Sequence, residues 1–246
     1  MKIIISPAKK MNTDTDTFPI KELPVLLNKT IQIQSYMQDL SYDQAKKLWN
    51  CNDRLAGLNY ARHQDLDLYR NLTPAILAYE GIQYQYMAPM VFTENALRYI
   101  DSHLYILSGF YGVLRPFDGV TPYRLEMQAK AKVGDAKDLY AFWGDSIYQT
   151  VTNRDHIIIN LASKEYAKCV EEFLRPEDTF ITCIFGEWKD QKIIQKGTQA
   201  KMARGEMVRF LAENQIESTE RIKDFCGLGY SFRESLSSDK EYVFLK

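Results

Sequence analysis

The chain has almost no net charge: 31 Lys and Arg stand against 32 Asp and Glu over 246 residues, a formal balance of -1. No global positive field exists to draw in a polyanion, so any anion-binding role must come from local segregation of charge. Long hydrophobic runs are missing too. Ile3-Ile4-Ile5 is followed almost at once by Lys9 and Lys10, which fits neither a signal-peptide core nor a membrane span of roughly 18 apolar residues. Cysteine is sparse: Cys51, Cys169, Cys183 and Cys226 are scattered, without CxxC or a Cys/His cluster. Neither a zinc site nor a disulfide framework is expected, although folding could still bring one pair together, and reduced thiols in a cytoplasm fit best. The histidines, His63, His103 and His156, are isolated, so no metal is expected. No G-x-x-x-x-G-K-[ST] or G-x-G-x-x-G sequence occurs, which argues against the common nucleotide-binding loops.

What is present suffices for a packed core: 46% of residues are apolar and 13% aromatic. Lys2 to Ile5 reads as a short buried strand stopped by Ser6-Pro7. Helices are expected from near Pro24, from Ser41 as N-cap, from Thr73-Pro74 and from Thr93. Leu104 to Leu107 fits a strand or a last helical turn equally well. His156 to Leu161 predicts a strand and Ser163 the cap of a helix. Phe180 to Phe185 and Lys192 to Lys196 predict two strands joined near Lys189-Asp190, followed by a helix over 200–214 and a last strand over 242–245. Irregular alternation of this kind indicates a mixed α/β fold rather than a doubly wound sheet. No repeat, low-complexity tract or linker divides residues 1–246, so one domain is expected.

Four segments could carry chemistry. In Leu107-Ser-Gly-Phe-Tyr-Gly-Val-Leu-Arg-Pro-Phe-Asp118, Gly109 and Gly112 stand three apart between apolar stretches. A helix following Gly112 would point free N–H groups at a phosphate, the logic of a helix-hairpin-helix element, with Arg115 near enough to add a charge. The bland alternative is a tight turn in which the glycines only permit close packing. In Tyr123-Arg-Leu-Glu-Met127, Arg124 and Glu126 share a face if extended, Arg124 clamping a phosphate while Glu126 orients it or serves as a base. A purely structural ion pair is an equally ready explanation.

Leu139-Tyr-Ala-Phe-Trp143 reads as core, or else offers Trp143 as a surface on which a base stacks. Finally, Lys192, Lys196, Lys201, Arg204 and Arg209 face one acid, Glu206, while seven acids and four bases follow over 213–241. Neutrality thus conceals a basic segment, which with Lys9, Lys10, Arg115 and Arg124 could form one positive cleft. Ser6 could pair with Lys9 as a nucleophile but is better explained as a loop cap.

Taken together, Ile5-Ser-Pro-Ala-Lys9, the blocks at 107–116, 123–127 and 139–144, Ile159-Asn160-Leu-Ala-Ser163 with Glu165-Tyr166, and Ala200-Lys-Met-Ala-Arg-Gly205 resemble the signature blocks of the YaaA family, bacterial peroxide-stress-resistance proteins. The resemblance runs in order through nearly the whole chain. It implies a cytoplasmic protein of the hydrogen-peroxide response, linked to lower free iron and to DNA protection. It further implies a single α/β domain of unusual topology, sometimes called the cantaloupe fold, with a helix-hairpin-helix element and a basic cleft that binds double-stranded or branched DNA.

Two readings follow. In the first, Lys9, Lys10, Arg115, Arg124, Lys201, Arg204 and Arg209 neutralise DNA phosphates and the Gly109–Gly112 backbone holds a strand, with no cofactor, membrane or obligate protein partner. In the second, an enzyme acts on a nucleotide or nucleic acid in a pocket built from Ser6, Lys9, Tyr123, Arg124, Glu126 and Trp143, with Asn160 and Ser163 beside it.

Overall fold

Three consecutive isoleucines make a strand that is branched at every Cβ and apolar on both faces, a pattern suited to burial from both sides. In the computed structural model, which describes residues 1–153 and 155–246, these residues form the inner strand β1 (Lys2–Ile5), with all three isoleucines fully buried. The other strands of its sheet are β2 (Leu104–Ser108), β3 (Gly112–Leu114), β4 (Ile157–Leu161), β5 (Thr179–Lys189), β6 (Lys192–Ile194), β7 (Ser231–Phe232) and β8 (Glu241–Leu245). Their order is β7-β8-β5-β4-β1-β2-β3, with β6 folded back on β5. β1, β2, β4, β5 and β8 run parallel, in register through Ile3↔Leu104, Ile3↔Ile159, Ile158↔Phe180 and Val243↔Ile184. β3, β6 and β7 are antiparallel to their neighbours.

The main helices are α1 (Leu27–Gln38), α2 (Tyr42–Trp49), α3 (Asp53–Gln64), α4 (Ile82–Met87), α5 (Glu94–His103), α6 (Leu139–Trp143), α7 (Ser146–Thr152), α8 (Lys164–Glu171) and α9 (Gly197–Glu213). Local chemistry sets their starts. Ser41 and Gln44 close a reciprocal capping box, and Thr93 accepts the Ala96 N–H. α9 packs on α4, α5 and β5. Gly205 makes the α4 crossing possible, because a Cβ there would run into the Gln83 carbonyl oxygen and lie 3.0 Å from the Met87 nitrogen.

The expected mixed α/β architecture is present, with a mostly parallel sheet at its centre. Leu104 begins a strand because Ile3 of β1 lies beside it. The helix expected after Gly112 is absent: β2, a three-residue turn and β3 form a hairpin, in which Leu107 pairs with Val113 and Ser108 with Gly112. Joining the sheet satisfies those backbone groups and buries Val113 and Leu114, which outweighs any local helical tendency. Thr73-Pro74 likewise pairs with Gly119-Val120 before a single helical turn, Ala75–Ala78.

One topological feature positions the site. From β1 the chain returns to the sheet as β2 on one side, whereas β4 leads through α8 to β5 on the other. A crevice therefore opens where the carboxyl ends of β1 and β4 diverge, the usual ligand position in open α/β sheets.

Candidate anion-binding cleft

Ser6 follows the last residue of β1 and Ser163 stands two residues past the end of β4, paired in register through Ile5↔Leu161. The Ser163 N–H donates to Ser6 Oγ at 2.8 Å, and the two hydroxyls lie 3.3 Å apart. Ser6 is therefore engaged with the α8 start rather than with Lys9. Tyr84 of α4 donates its hydroxyl to the Ser6 carbonyl at 3.0 Å. A cleft of about 520 Å³ opens here, lined by Ser6, Lys9, Lys10, Tyr123, Arg124, Glu126, Ser163, Lys201 and Arg204, and also by Glu80, Gln83, Tyr84, Glu165 and Tyr166.

The segment carrying Tyr123, Arg124 and Glu126 belongs to no strand; it is held by contacts from four directions. The buried Tyr123 hydroxyl lies 2.6 Å from Ser108 Oγ and 2.8 Å from the Tyr79 hydroxyl. Its ring stacks on Phe110 at 4.9 Å. The Arg124 N–H donates to His63 Nε2 at 3.2 Å. Gly109 lets the β2–β3 turn approach from behind, because a Cβ there would sit 2.6 Å from the Leu125 carbonyl oxygen. Burial, with the Arg62 charge beside it, pushes the His63 imidazole down to about 4, so this ring is a neutral prop at physiological pH.

The cleft gathers five cations and three carboxylates. Lys9 pairs with Glu126 at 2.8 Å, Lys10 with Glu80 at 2.7 Å, and Arg124 lies 3.7 Å from Glu126. Lys201 and Arg204 pair with no carboxylate among the described residues. Two guanidinium atoms, Arg124 Nε and Arg204 Nε, are buried without a hydrogen-bond partner. Burial pulls the Arg204 guanidinium below its ordinary value, offset only in part by the Cys183 thiol and by no carboxylate. Buried donors of this kind cost free energy unless something accepts from them. Burial also raises the Glu165 carboxyl, and the neighbouring Glu126 charge adds to the effect.

Other residues singled out in the sequence lie elsewhere. Gly109 and Gly112 are buried in the hairpin; Gly112, at φ +73°, packs within 2.8 Å of the Trp143 ring at the position a Cβ would take. Trp143 is fully buried and donates Nε1–H to the Gly109 carbonyl at 3.1 Å, so it offers no face for stacking. Asn160 is buried between Thr182 Oγ1 and the Ala162 N–H and shapes the turn into α8 without lining the cleft. Arg115 is held by Glu22 at 2.7 Å and Asp118 at 3.0 Å, in a separate cavity shared with Lys2 at the other end of β1. Arg209 bonds Glu213 at 2.8 Å, one helical turn on.

Sequence reasoning passed over His63, Glu80, Gln83, Tyr84 and Glu165. Glu165-Tyr166 belongs to one of the signature-like blocks, but the Gln128 N–H that Glu165 accepts lies far off in sequence. Among the described residues no group of three His, Cys, Asp or Glu side chains could hold a metal ion, and no helix is long and apolar enough to cross a membrane.

Comparison with known proteins gives a consistent result. The model of a family described as "Peroxide stress protein YaaA" matches residues 1–236. A UPF0246 protein of Agathobacter rectalis is 57% identical over 244 residues, covering 99% of this chain and 98% of that protein. UPF0246 proteins of Pediococcus pentosaceus and Lachnoclostridium phytofermentans are 56% and 52% identical over 246 residues, covering 98% and 96% of those proteins and all of this chain.

Proposed function

Since the chain belongs to the peroxide stress protein YaaA family, which supports a role in peroxide stress, we propose that it serves that role by binding DNA phosphates, without reading bases, in the cleft beside Ser6 and Ser163. The observation that carries this reading is the convergence of Lys9, Lys10, Arg124, Lys201 and Arg204 on one cavity in a chain of net charge -1, two of them with orphaned Nε donors. Arginine forks match phosphate oxygens in geometry and charge. The Gly109–Gly112 backbone has no part in the contact, and the cleft supplies the field that the whole molecule lacks.

The test is DNA affinity measured across a salt series. Neutralising two to five phosphates gives a log–log slope between about -2 and -4.5, counting about 0.9 per phosphate. The reversal Lys201→Glu with Arg204→Glu lowers affinity to a similar extent for unrelated sequences. Salt-independent binding, or a strongly sequence-dependent loss, contradicts the reading.

A second reading is favoured by the company these cations keep: Ser6, Tyr123, Arg124 and Glu126 share a recess of about 520 Å³, the size that encloses a small ligand. An enzyme acting on a nucleotide unit would use Arg124 to hold the phosphate and Glu126 as acid or base. Incubation with nucleotides and oligonucleotides, followed by product analysis of wild type and Glu126→Gln, decides it: turnover lost in the variant supports catalysis, and no product leaves binding alone.

A further inference from the structure

A second cavity, of about 710 Å³, adjoins the first and shares Lys9 and Glu126 with it. Its floor is apolar and aromatic, from Tyr36 of α1, Leu40 just past the end of α1, and Leu48 and Trp49 of α2. Lys47 and Lys130 stand over it, neither paired with a carboxylate among the described residues, and Glu126 is the single acid in its lining. Trp49 is only 5% exposed, and its Nε1–H is buried without an acceptor. Both recesses therefore hold unmatched cations and an orphaned buried donor, and the Lys9–Glu126 ion pair is the wall between them. Lys9 is 66% exposed in that pair, so the contact is weak and Lys9 can swing aside at little cost.

We propose that the two cavities are one binding groove for a single strand of nucleic acid, its phosphates running from Arg204, Lys201 and Arg124 past Lys9 to Lys130 and Lys47, with a base resting on the half-buried Tyr36 and Leu48. This rests on the phosphate-binding reading of the first cavity. Linked phosphates are the ligand chemistry that needs cations on both sides of a joint. Recesses of about 520 and 710 Å³ enclose units of small-ligand size, not a duplex with its bases stacked inside. Apolar and aromatic floors flanked by lysines are how strands are held without sequence preference.

The experiment measures binding of thymidine 5′-monophosphate, oligothymidylates of increasing length and a blunt duplex, to wild type and to Lys47→Gln with Lys130→Gln. These lysines are exposed, so the substitutions leave the fold intact. In the wild type a short oligothymidylate binds at least ~10-fold tighter than the monophosphate, and the duplex binds more weakly than the strand. In the variant, monophosphate affinity is unchanged, the length gain disappears, and the salt slope for the strand falls by about 1.4, at about 0.7 per phosphate. Monophosphate binding with no length gain, a variant indistinguishable from wild type, or a duplex that binds as tightly as the strand overturns the joined groove while leaving the first cavity's phosphate site standing. Failure of every probe to bind at low salt removes the phosphate-binding reading itself.

Discussion

His63 connects the fold to the cleft and offers a sharp pH test. Its ring is buried, stacks on Trp49 at 5.5 Å and receives the Arg124 N–H, so the folded protein holds it neutral down to about pH 4. In the unfolded chain an imidazole protonates near its ordinary value, about 6.5. Between these values the unfolded state binds the extra proton. The stabilisation is therefore fully present above about pH 6.5 and is lost as the pH falls towards 4. A displacement of about 2.5 units corresponds to about 3 kcal/mol over the window, with a slope of up to about 1.4 kcal/mol per pH unit.

Asp118 works in the opposite sense. Burial pushes its carboxyl up to about 6 despite the Arg115 partner, so acidification from pH 6 towards 4 favours the folded state at that site. The two effects offset each other in the wild-type curve. The informative quantity is the difference between wild type and His63→Gln, from which the unaltered Asp118 cancels. Urea denaturation at half-unit steps from pH 4 to 7.5 should show the variant's relative stability rising by about 3 kcal/mol as the pH falls through the window. A difference independent of pH would refute the buried, neutral histidine.

Two further outcomes follow from close contacts. Gly205→Ala pushes α9 off α4 at Gln83 and should cost about 1–3 kcal/mol, while weakening DNA binding because Lys201 and Arg204 ride on α9; full stability with unchanged affinity would contradict the crossing. Tyr123→Phe removes the hydroxyl shared by Ser108 and Tyr79 and should cost about 1–2 kcal/mol in denaturant titrations, so an unaltered midpoint would mean the shared hydroxyl contributes nothing.

Where local chemistry decides, the sequence was legible. Ile3 to Ile5 before Ser6-Pro7 could hardly be other than a buried strand, and Ser41 and Thr93 cap the starts of α2 and α5, while Ser163 takes the N-cap position of α8 without a side-chain cap bond. α3 escaped notice because DRLAGLNYARHQ has a faint apolar stripe interrupted by Gly57, although Asn52 does cap its start by accepting the Leu55 N–H. The Gly109–Gly112 turn misled for a related reason: whether strand or helix follows depends on a neighbour in the sheet, not on the glycines.

The cations divide along the same line. Lys201 and Arg204 stand three apart on α9 and both reach the cleft, a pairing helical spacing makes readable, but the loss of Arg115 to Glu22 depends on a residue distant in sequence. The loss of Arg209 to Glu213 was readable at i,i+4 spacing. His63 carried no local signal, since its role exists only once α3 lies against the Arg124 segment.

The proposed phosphate binding belongs to the cleft cations and not to every basic residue. It is tested most directly by comparing the salt dependence of DNA affinity for two charge-matched variants, Lys201→Gln with Arg204→Gln and Arg115→Gln with Arg209→Gln. The first pair should lose affinity and flatten the log–log slope by about 2, whereas the second leaves both unchanged. Equal losses from the two pairs would contradict it.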